Sequence, residues 1–214
     1  MFGVQDLPLF VVSGLLLNMA PGPDSLLIMA RSGSQGWRAG SAAALGVGTG
    51  TFVHVFAAAL GLSALLAASA TAFTLVKLAG AAYLVVIGLR LVFARQREPN
   101  EDVQADRPTR ALPYRSIYTQ GFLTNVLNPK VAVFFLAFVP QFIAANAPNK
   151  ALAFIVLGGI FNVNSMLWSQ LLIVATVAAS RRVRMSDRVL RWLNRLIGGL
   201  FVSFGVRLAL AESR

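Results

Sequence analysis

Long apolar stretches constrain the fold of this chain more than any other feature. Several exceed the ~20 residues that an α-helix needs to cross the hydrocarbon core of a bilayer, and the charged residues are gathered between them. Only 13% of the residues are charged, compared with roughly a quarter in soluble domains. Because the apolar runs are continuous rather than alternating, we expect an all-α membrane protein and not a barrel.

The apolar runs predict six transmembrane helices, at residues 7–29, 40–67, 73–93, 117–143, 151–179 and 193–210. A polar, proline-containing linker at 94–114 separates a first three-span repeat (1–93) from a second (115–214), within one integral membrane domain. No lysine or arginine precedes the first run, so we interpret it as a retained span and not as a signal peptide.

The net charge of +11 comes from arginines that cluster in alternate loops. They follow the first span (Arg31 and Arg38), fill the central linker, and recur between the fifth and sixth spans. Positive loops face the cytoplasm, so both termini are predicted to be periplasmic in a bacterial inner membrane. This pattern argues against nucleic-acid binding. With no cysteine and no nucleotide-binding or hydrolase motif, we expect no metal, no cofactor and no enzyme activity.

The two halves of the chain resemble each other in sequence. Residues 18–23 (NMAPGP) resemble residues 125–130 (NVLNPK), and residues 88–91 (GLRL) resemble residues 205–208 (GVRL). Since three spans per repeat is an odd number, the second copy must enter the membrane from the opposite side. The prediction is two inverted three-helix repeats, an architecture of secondary transporters.

Proline interrupts the first and the fourth predicted spans. Pro21 and Pro23 flank Gly22, and Pro129 follows Asn128. Proline removes a backbone donor and disfavours helical geometry in the residue before it, so both helices are predicted to break. Open backbone at membrane depth is tolerated where it lines a cavity, and the half-helix ends carry partial charges that could hold a zwitterion. A purely structural kink is the alternative.

Charged and polar side chains lie beside these breaks. Asp24 and Lys130 are costly inside a span, by ~2.5–3.5 kcal/mol on insertion scales, and such residues are usually functional. They could pair with each other; alternatively, Asp24 is hydrated and Lys130 snorkels to the interface. The predicted substrate-binding residues are Asn18, Pro21, Gly22, Pro23, Asp24, Asn125, Asn128, Pro129 and Lys130.

Two further groups of residues are candidates. His54 is the only histidine, and together with Asp24 it is a candidate for proton coupling; helix packing is its alternative role. Five polar residues of the fifth span are predicted to share roughly one helical side, facing a cavity or neighbouring helices: Asn162, Asn164, Ser165, Ser169 and Gln170. The glycines at 46, 48, 50, 158 and 159 are interpreted as close-packing positions between helices.

Two motifs resemble the signatures of the LysE/RhtB family of amino-acid exporters. The first is PGPDSLL at 21–27 followed by Gly36, Ala39 and Gly40; the second joins GFLTN at 121–125, NPK at 128–130 and FFLAFVPQF at 134–142. The resemblance covers essentially the whole chain. It implies export of amino acids from a bacterial cytoplasm, driven by the proton motive force. Asp24 and Lys130 look more like the branch that handles homoserine, threonine and other neutral amino acids, including leucine-like ones.

The expected partners are therefore an amino-acid substrate, protons and the lipid bilayer, with a homodimer left open. Two other functions stay open at this point. One is export of another small solute or a cation, and the other is a non-catalytic membrane scaffold, which would need helix packing but no charged site.

Overall fold

The computed structural model describes residues 3–68, 70–93, 111–144 and 146–179, together with ten helical positions between Trp192 and Leu210. These residues form helices and contain no strand; an isolated antiparallel bridge joins Val4 to Ile143. Most of the predicted linker, the basic stretch at 181–191 and much of the predicted sixth span lie outside the described residues.

The helices follow the predicted spans closely. They are α1 (Leu7–Met19), α2 (Pro23–Gln35), α3 (Trp37–Ala68), α4 (Ala70–Val92), α5 (Tyr114–Val126), α6 (Pro129–Val133), which continues as a π-helical turn (Phe134–Phe138) and a 3-10 turn (Val139–Phe142), and α7 (Lys150–Ala179). Among the described residues, α3 and α7 are long and apolar enough to cross a membrane. Counting each bent helix pair as one span gives up to four spans, so the six-span inverted repeat stays a prediction.

Both predicted helix breaks are confirmed. The axes of α1 and α2 differ by 57°, and α5 is bent by 47° from the segment that starts with α6. In each case the second half-helix begins at the predicted proline, Pro23 or Pro129, which occupies the first helical position. Proline is favoured there because its missing N–H has no intrahelical partner in any case.

Helix α3 packs most extensively against α5 and α7, and its glycines explain how. A Cβ atom on Gly46 would collide with the Tyr118 carbonyl of α5, and one on Gly50 would lie 2.9 Å from the Phe122 carbonyl. Residue numbers therefore rise together along α3 and α5, so the two helices run parallel. The close-packing interpretation is wrong for Gly159, which has open space where a Cβ would lie.

Helix α7 lies on the other side of α3 and runs antiparallel to it. A Cβ on Gly48 would lie 3.0 Å from Met166 Cε, and a Cβ on Gly158 would meet Val55 near the far end of α3. The close-packing interpretation holds for both glycines. Helix α7 also contacts both α1 and α2, the two half-helices that meet at the first break.

Phenylalanine rings fill one end of the bundle, which we call the aromatic end. The aromatic cluster, with ring centroids 4.8–6.1 Å apart, consists of Phe10, Phe134, Phe135, Phe138, Phe142 and Phe161. The chain before α1 is tied to this end, because Gln5 N donates to Phe142 O at 2.9 Å and Ala144 N donates to Gly3 O at 2.8 Å. The opposite end, where α2 passes into α3 at Gly36, is called the Gly36 end.

Candidate binding site at the two helix breaks

The first break leaves backbone carbonyls without helical partners. Helix α1 closes with the bond from Ala20 N to Leu16 O at 3.0 Å, and the chain then runs extended until Pro23. The carbonyls of Leu17 and Ala20 instead accept hydrogen bonds from Lys130 Nζ, at 3.2 and 3.0 Å. An ammonium group at the negative end of a helix dipole is electrostatically favourable. Lys130 therefore caps α1 from the other half of the chain.

Gly22 makes room for this cap. A Cβ atom at residue 22 would lie 3.0 Å from Lys130 Nζ and 3.4 Å from its Cε. Lys130 is 8% exposed, so the ammonium group is held inside the protein and does not snorkel. The direct pairing of Asp24 with Lys130 that the sequence suggested is not found, because the hydrogen bonds of Nζ go to backbone carbonyls.

The second break is held by the charged residue of the first. Asn125 and Asn128 each donate a side-chain N–H to Asp24 Oδ2 at 2.9 Å. Asn128 also caps α6, since its Oδ1 accepts from Lys130 N at 3.0 Å. Asp24 and Lys130 are both the second residue of their half-helix, directly after proline. The two breaks are thus interlocked, each half-helix placing its charged residue in the opposite break.

Asn125 links this arrangement to α3. Its Oδ1 accepts from Thr51 Oγ1 at 3.4 Å, and its main-chain oxygen lies 2.9 Å from His54 Nε2. A carbonyl oxygen can only accept, so Nε2 of His54 carries a hydrogen in this contact. His54 does not line the pocket described next and reaches the break through this carbonyl.

A pocket opens beside the interlocked breaks. Its empty space is about 390 Å³ when the solvent-open mouth is counted. The lining residues come from α1 (Leu17, Asn18), α2 (Asp24, Ser25, Ile28), α3 (Val47, Thr51), α5 and α6 (Asn125, Lys130, Val131) and α7 (Phe161, Ser165, Trp168, Ser169). The pocket is thus charged and polar at the breaks, and along its walls apolar side chains are mixed with the hydroxyl groups of serine and threonine.

Two buried polar atoms of the pocket residues lack hydrogen-bond partners. They are Nδ2 of Asn18 and Oδ1 of Asp24. An ammonium group has three N–H donors, and Lys130 uses two of them on the α1 carbonyls. Leaving a buried polar group unpaired costs about 1–3 kcal/mol. The residues that line the pocket therefore hold an unpaired carboxylate oxygen and unpaired N–H donors, which complement a ligand that carries both charges.

The other predicted site residues serve different purposes. Pro21, Pro23 and Pro129 are exposed and shape the breaks without lining the pocket, and Asn128 acts through Asp24. Of the five polar residues in the fifth predicted span, Ser165 and Ser169 line the pocket.

The other three polar residues of that span do not line the pocket, so the five do not share one side; the predicted alternative, contact with neighbouring helices, holds for Asn164 and Asn162. Asn164 donates to Val11 O at 3.0 Å, Asn162 lies beside Gly48 of α3, and Gln170 is exposed. Eight pocket-lining residues were not predicted from the sequence, namely Leu17, Ser25, Ile28, Val47, Thr51, Val131, Phe161 and Trp168. A small hydroxyl residue or a tryptophan inside an apolar helix gives no signal that separates lining from packing.

Comparison with known proteins assigns the family. The model of the LysE type translocator family matches residues 15–212. The leucine efflux protein of Salmonella choleraesuis (strain SC-B67) is 27% identical over an alignment of 216 positions, which covers 99% of this chain and 98% of that protein. The leucine efflux protein of Klebsiella pneumoniae is 29% identical over 214 residues, with the same coverage. No solved structure matches the chain. Because the family match spans both breaks and the pocket, this multi-pass membrane protein belongs to the LysE type translocator family.

Proposed function

We propose that this protein exports neutral amino acids with leucine-like side chains from the bacterial cytoplasm across the inner membrane. Family membership and the leucine efflux relatives support amino-acid export. The observation that carries the proposal is the pair of unpartnered, oppositely suited atoms in one pocket, Asp24 Oδ1 and Asn18 Nδ2.

These atoms match the two charges of an α-amino acid. The substrate ammonium group binds the free Oδ1 of Asp24, while Oδ2 stays with the two asparagines. The substrate carboxylate accepts from Asn18 Nδ2 and from the third N–H of Lys130. Charge-assisted hydrogen bonds are shorter and roughly twice as strong as neutral ones. The remaining lining combines apolar side chains with hydroxyl and amide groups and contains no further acid to pair a cationic side chain, which favours a neutral substrate.

The proposed architecture is two inverted three-span repeats, at 1–93 and 115–214, joined by a cytoplasmic linker. The equivalent Pro-charge pairs at the starts of α2 and α6 support it. Both termini are placed in the periplasm, which puts the Gly36 end, with Arg31 and Arg38, in the cytoplasm. The pocket reaches from Phe161 toward that end, while the aromatic cluster closes the other. Rocking of the two halves then exposes the pocket alternately.

Proton antiport follows from the same carboxylate. Oδ1 of Asp24 can hold either the ammonium group of the substrate or a proton, but not both together. After the substrate leaves toward the periplasm, Asp24 takes up a proton there and releases it to the cytoplasm when the next substrate binds. His54, the other predicted candidate for proton coupling, is connected to this site through the Asn125 carbonyl.

Efflux from proteoliposomes tests this function. Vesicles holding the purified protein are loaded with radiolabelled leucine, and release is followed with and without an inward proton gradient. We expect faster release than from protein-free vesicles, further accelerated by the gradient. A panel of other neutral amino acids runs beside leucine. If none of them is released faster, although the protein is folded and inserted, amino-acid export is excluded and a different solute or a scaffold role takes its place.

A further inference from the structure

One face of α7 forms a recess between two aromatic side chains. Phe161, Ser165, Trp168 and Ser169 are spaced so that they lie on the same face of a helix, and all four line the pocket. Phe161 and Trp168 are seven residues apart, or about 10.5 Å along the helix axis at 1.5 Å per residue. The small side chain of Ser165 lies between the two rings and leaves the recess open to the pocket.

The wall opposite this recess is apolar and fixed in place. It is formed by Ile28 of α2 and Val47 of α3, which are 2% and 4% exposed. Around it, α2 and α3 pack closely on α7 at the Gly36 end, where a Cβ on Gly40 would lie 3.0 Å from Ile173 Cγ1. The width of the recess is therefore set by packed helices.

The two aromatic ends of the recess differ in how firmly they are held. Phe161 belongs to the aromatic cluster, 4.8 Å from the ring of Phe134 and 5.4 Å from that of Phe135, and it is 2% exposed. Trp168 is half-buried and has no ring partner within the part of the chain that the structure describes. Trp168 also lies on the Gly36 side of the recess, away from the aromatic cluster.

We propose that Trp168 sets the upper size limit of the substrate side chain. This inference rests on the proposed function, in which Asp24 and Asn18 hold the charged groups of an amino acid at the breaks. With its charges fixed there, the side chain extends along α7 past Ser165 and ends against the indole ring. The indole then excludes side chains longer or wider than that of leucine, whereas shorter ones leave the contact unused.

Competition between two substrates measures this limit. Wild type and Trp168→Ala are reconstituted, and efflux of leucine and phenylalanine is compared in the same vesicles. Removing the indole opens space beyond the leucine side chain, so the phenylalanine-to-leucine ratio of rates is expected to rise about tenfold, within the range that pocket size usually controls. Trp168→Phe keeps a ring and is expected to change the ratio far less.

Trp37→Ala is the matched control, since it deletes the same side chain at a site that is 60% exposed and outside the pocket. An unchanged phenylalanine-to-leucine ratio in an exporting Trp168→Ala variant overturns the inference while leaving amino-acid export intact. Absence of leucine efflux in wild type overturns the proposed function instead. If Trp168→Ala does not insert stably, Trp168→Leu is expected to shift the ratio in the same direction by a smaller factor, and no shift in that variant overturns the inference equally.

Discussion

Replacing Asp24 with asparagine removes one negative charge from the pocket and leaves its shape almost unchanged. The asparagine oxygen can still accept the two bonds that Asn125 and Asn128 now donate to Oδ2 at 2.9 Å. The amide nitrogen then stands where the unpartnered Oδ1 stands in the wild type. That position changes from an anionic acceptor to a neutral donor, which cannot bind a substrate ammonium group.

The expected loss of leucine affinity follows from this replacement of an anionic acceptor by a neutral donor. A hydrogen bond to a charged group contributes about 1.5–3 kcal/mol, and each 1.4 kcal/mol changes affinity tenfold. We therefore expect the Asp24→Asn variant to bind leucine roughly 10- to 150-fold more weakly, with correspondingly slower exchange at low leucine concentration. The fold should persist, because the hydrogen bonds that join α2 to the second break are retained.

Leucine exchange in proteoliposomes, measured over a range of leucine concentrations, gives this change in apparent affinity. Asp6→Asn is the matched control, since Asp6 is exposed, precedes α1 and makes no side-chain capping bond. Thermal unfolding in detergent verifies that both variants are folded. If Asp24→Asn exchanges leucine with the affinity and rate of Asp6→Asn, the carboxylate does not hold the substrate and the reasoning fails.

Three other changes separate site chemistry from helix packing. Asn128→Ala should impair leucine exchange severely. Asn149→Ala deletes the exposed N-terminal cap of α7, a 2.9 Å hydrogen bond from Leu152 N, and should only lower stability by about 1 kcal/mol. Equal leucine exchange in both variants would contradict the interlocked breaks. Gly121→Ala forces a Cβ into the Ala43 carbonyl of α3 and should lower the free energy of unfolding by about 1–3 kcal/mol. Gly159→Ala, with open space at its Cβ, should change it by no more than about 0.5 kcal/mol in thermal unfolding. Similar values for the two variants would refute the α3–α5 packing. Because Asp24 is the proposed proton carrier, His54→Gln, which keeps a donor to the Asn125 carbonyl, should retain both leucine exchange and its acceleration by a pH gradient; loss of the acceleration alone would place proton coupling on His54.

The helix breaks could be predicted from the sequence because proline acts locally. Its ring and missing N–H disrupt a helix wherever they occur, and both half-helices start at the predicted residues, Pro23 and Pro129. The parts of the site nearest these breaks, such as Asn18 and Asp24, could be predicted for the same reason. Both lie within three residues of a proline, at the helix ends that flank the opened backbone.

The partners of the charged residues could not be predicted in this way. The opposite charges of Asp24 and Lys130 suggest a direct ion pair. In the structure, Lys130 instead donates to the two carbonyls that lack helical partners at the end of α1. Which carbonyls are released, and which residue of a distant helix reaches them, depends on how the two broken helices cross. No local pattern encodes that crossing.

Helix α7 shows a second limit of prediction from the sequence. The sequence spacing of its polar residues suggested one common side. In the structure, Asn164 contacts α1 and Asn162 contacts α3, while Ser165 and Ser169 line the pocket. A helix with neighbours on several sides has no single polar face, so periodicity alone cannot assign these roles. Trp168 was missed because an aromatic residue in an apolar helix is equally typical of lipid contact.

Binding of three molecules of similar shape tests the central claim most directly. Purified protein is titrated with leucine, with 3-methylbutylamine, which lacks the carboxylate, and with 4-methylpentanoate, which lacks the ammonium group. In the proposed binding mode, Asp24 Oδ1 binds one substrate charge and Asn18 Nδ2 with Lys130 binds the other, so we expect leucine to bind at least about tenfold more tightly than either analogue. An analogue that binds as tightly as leucine would show that the pocket recognises one charge alone, contradicting the account.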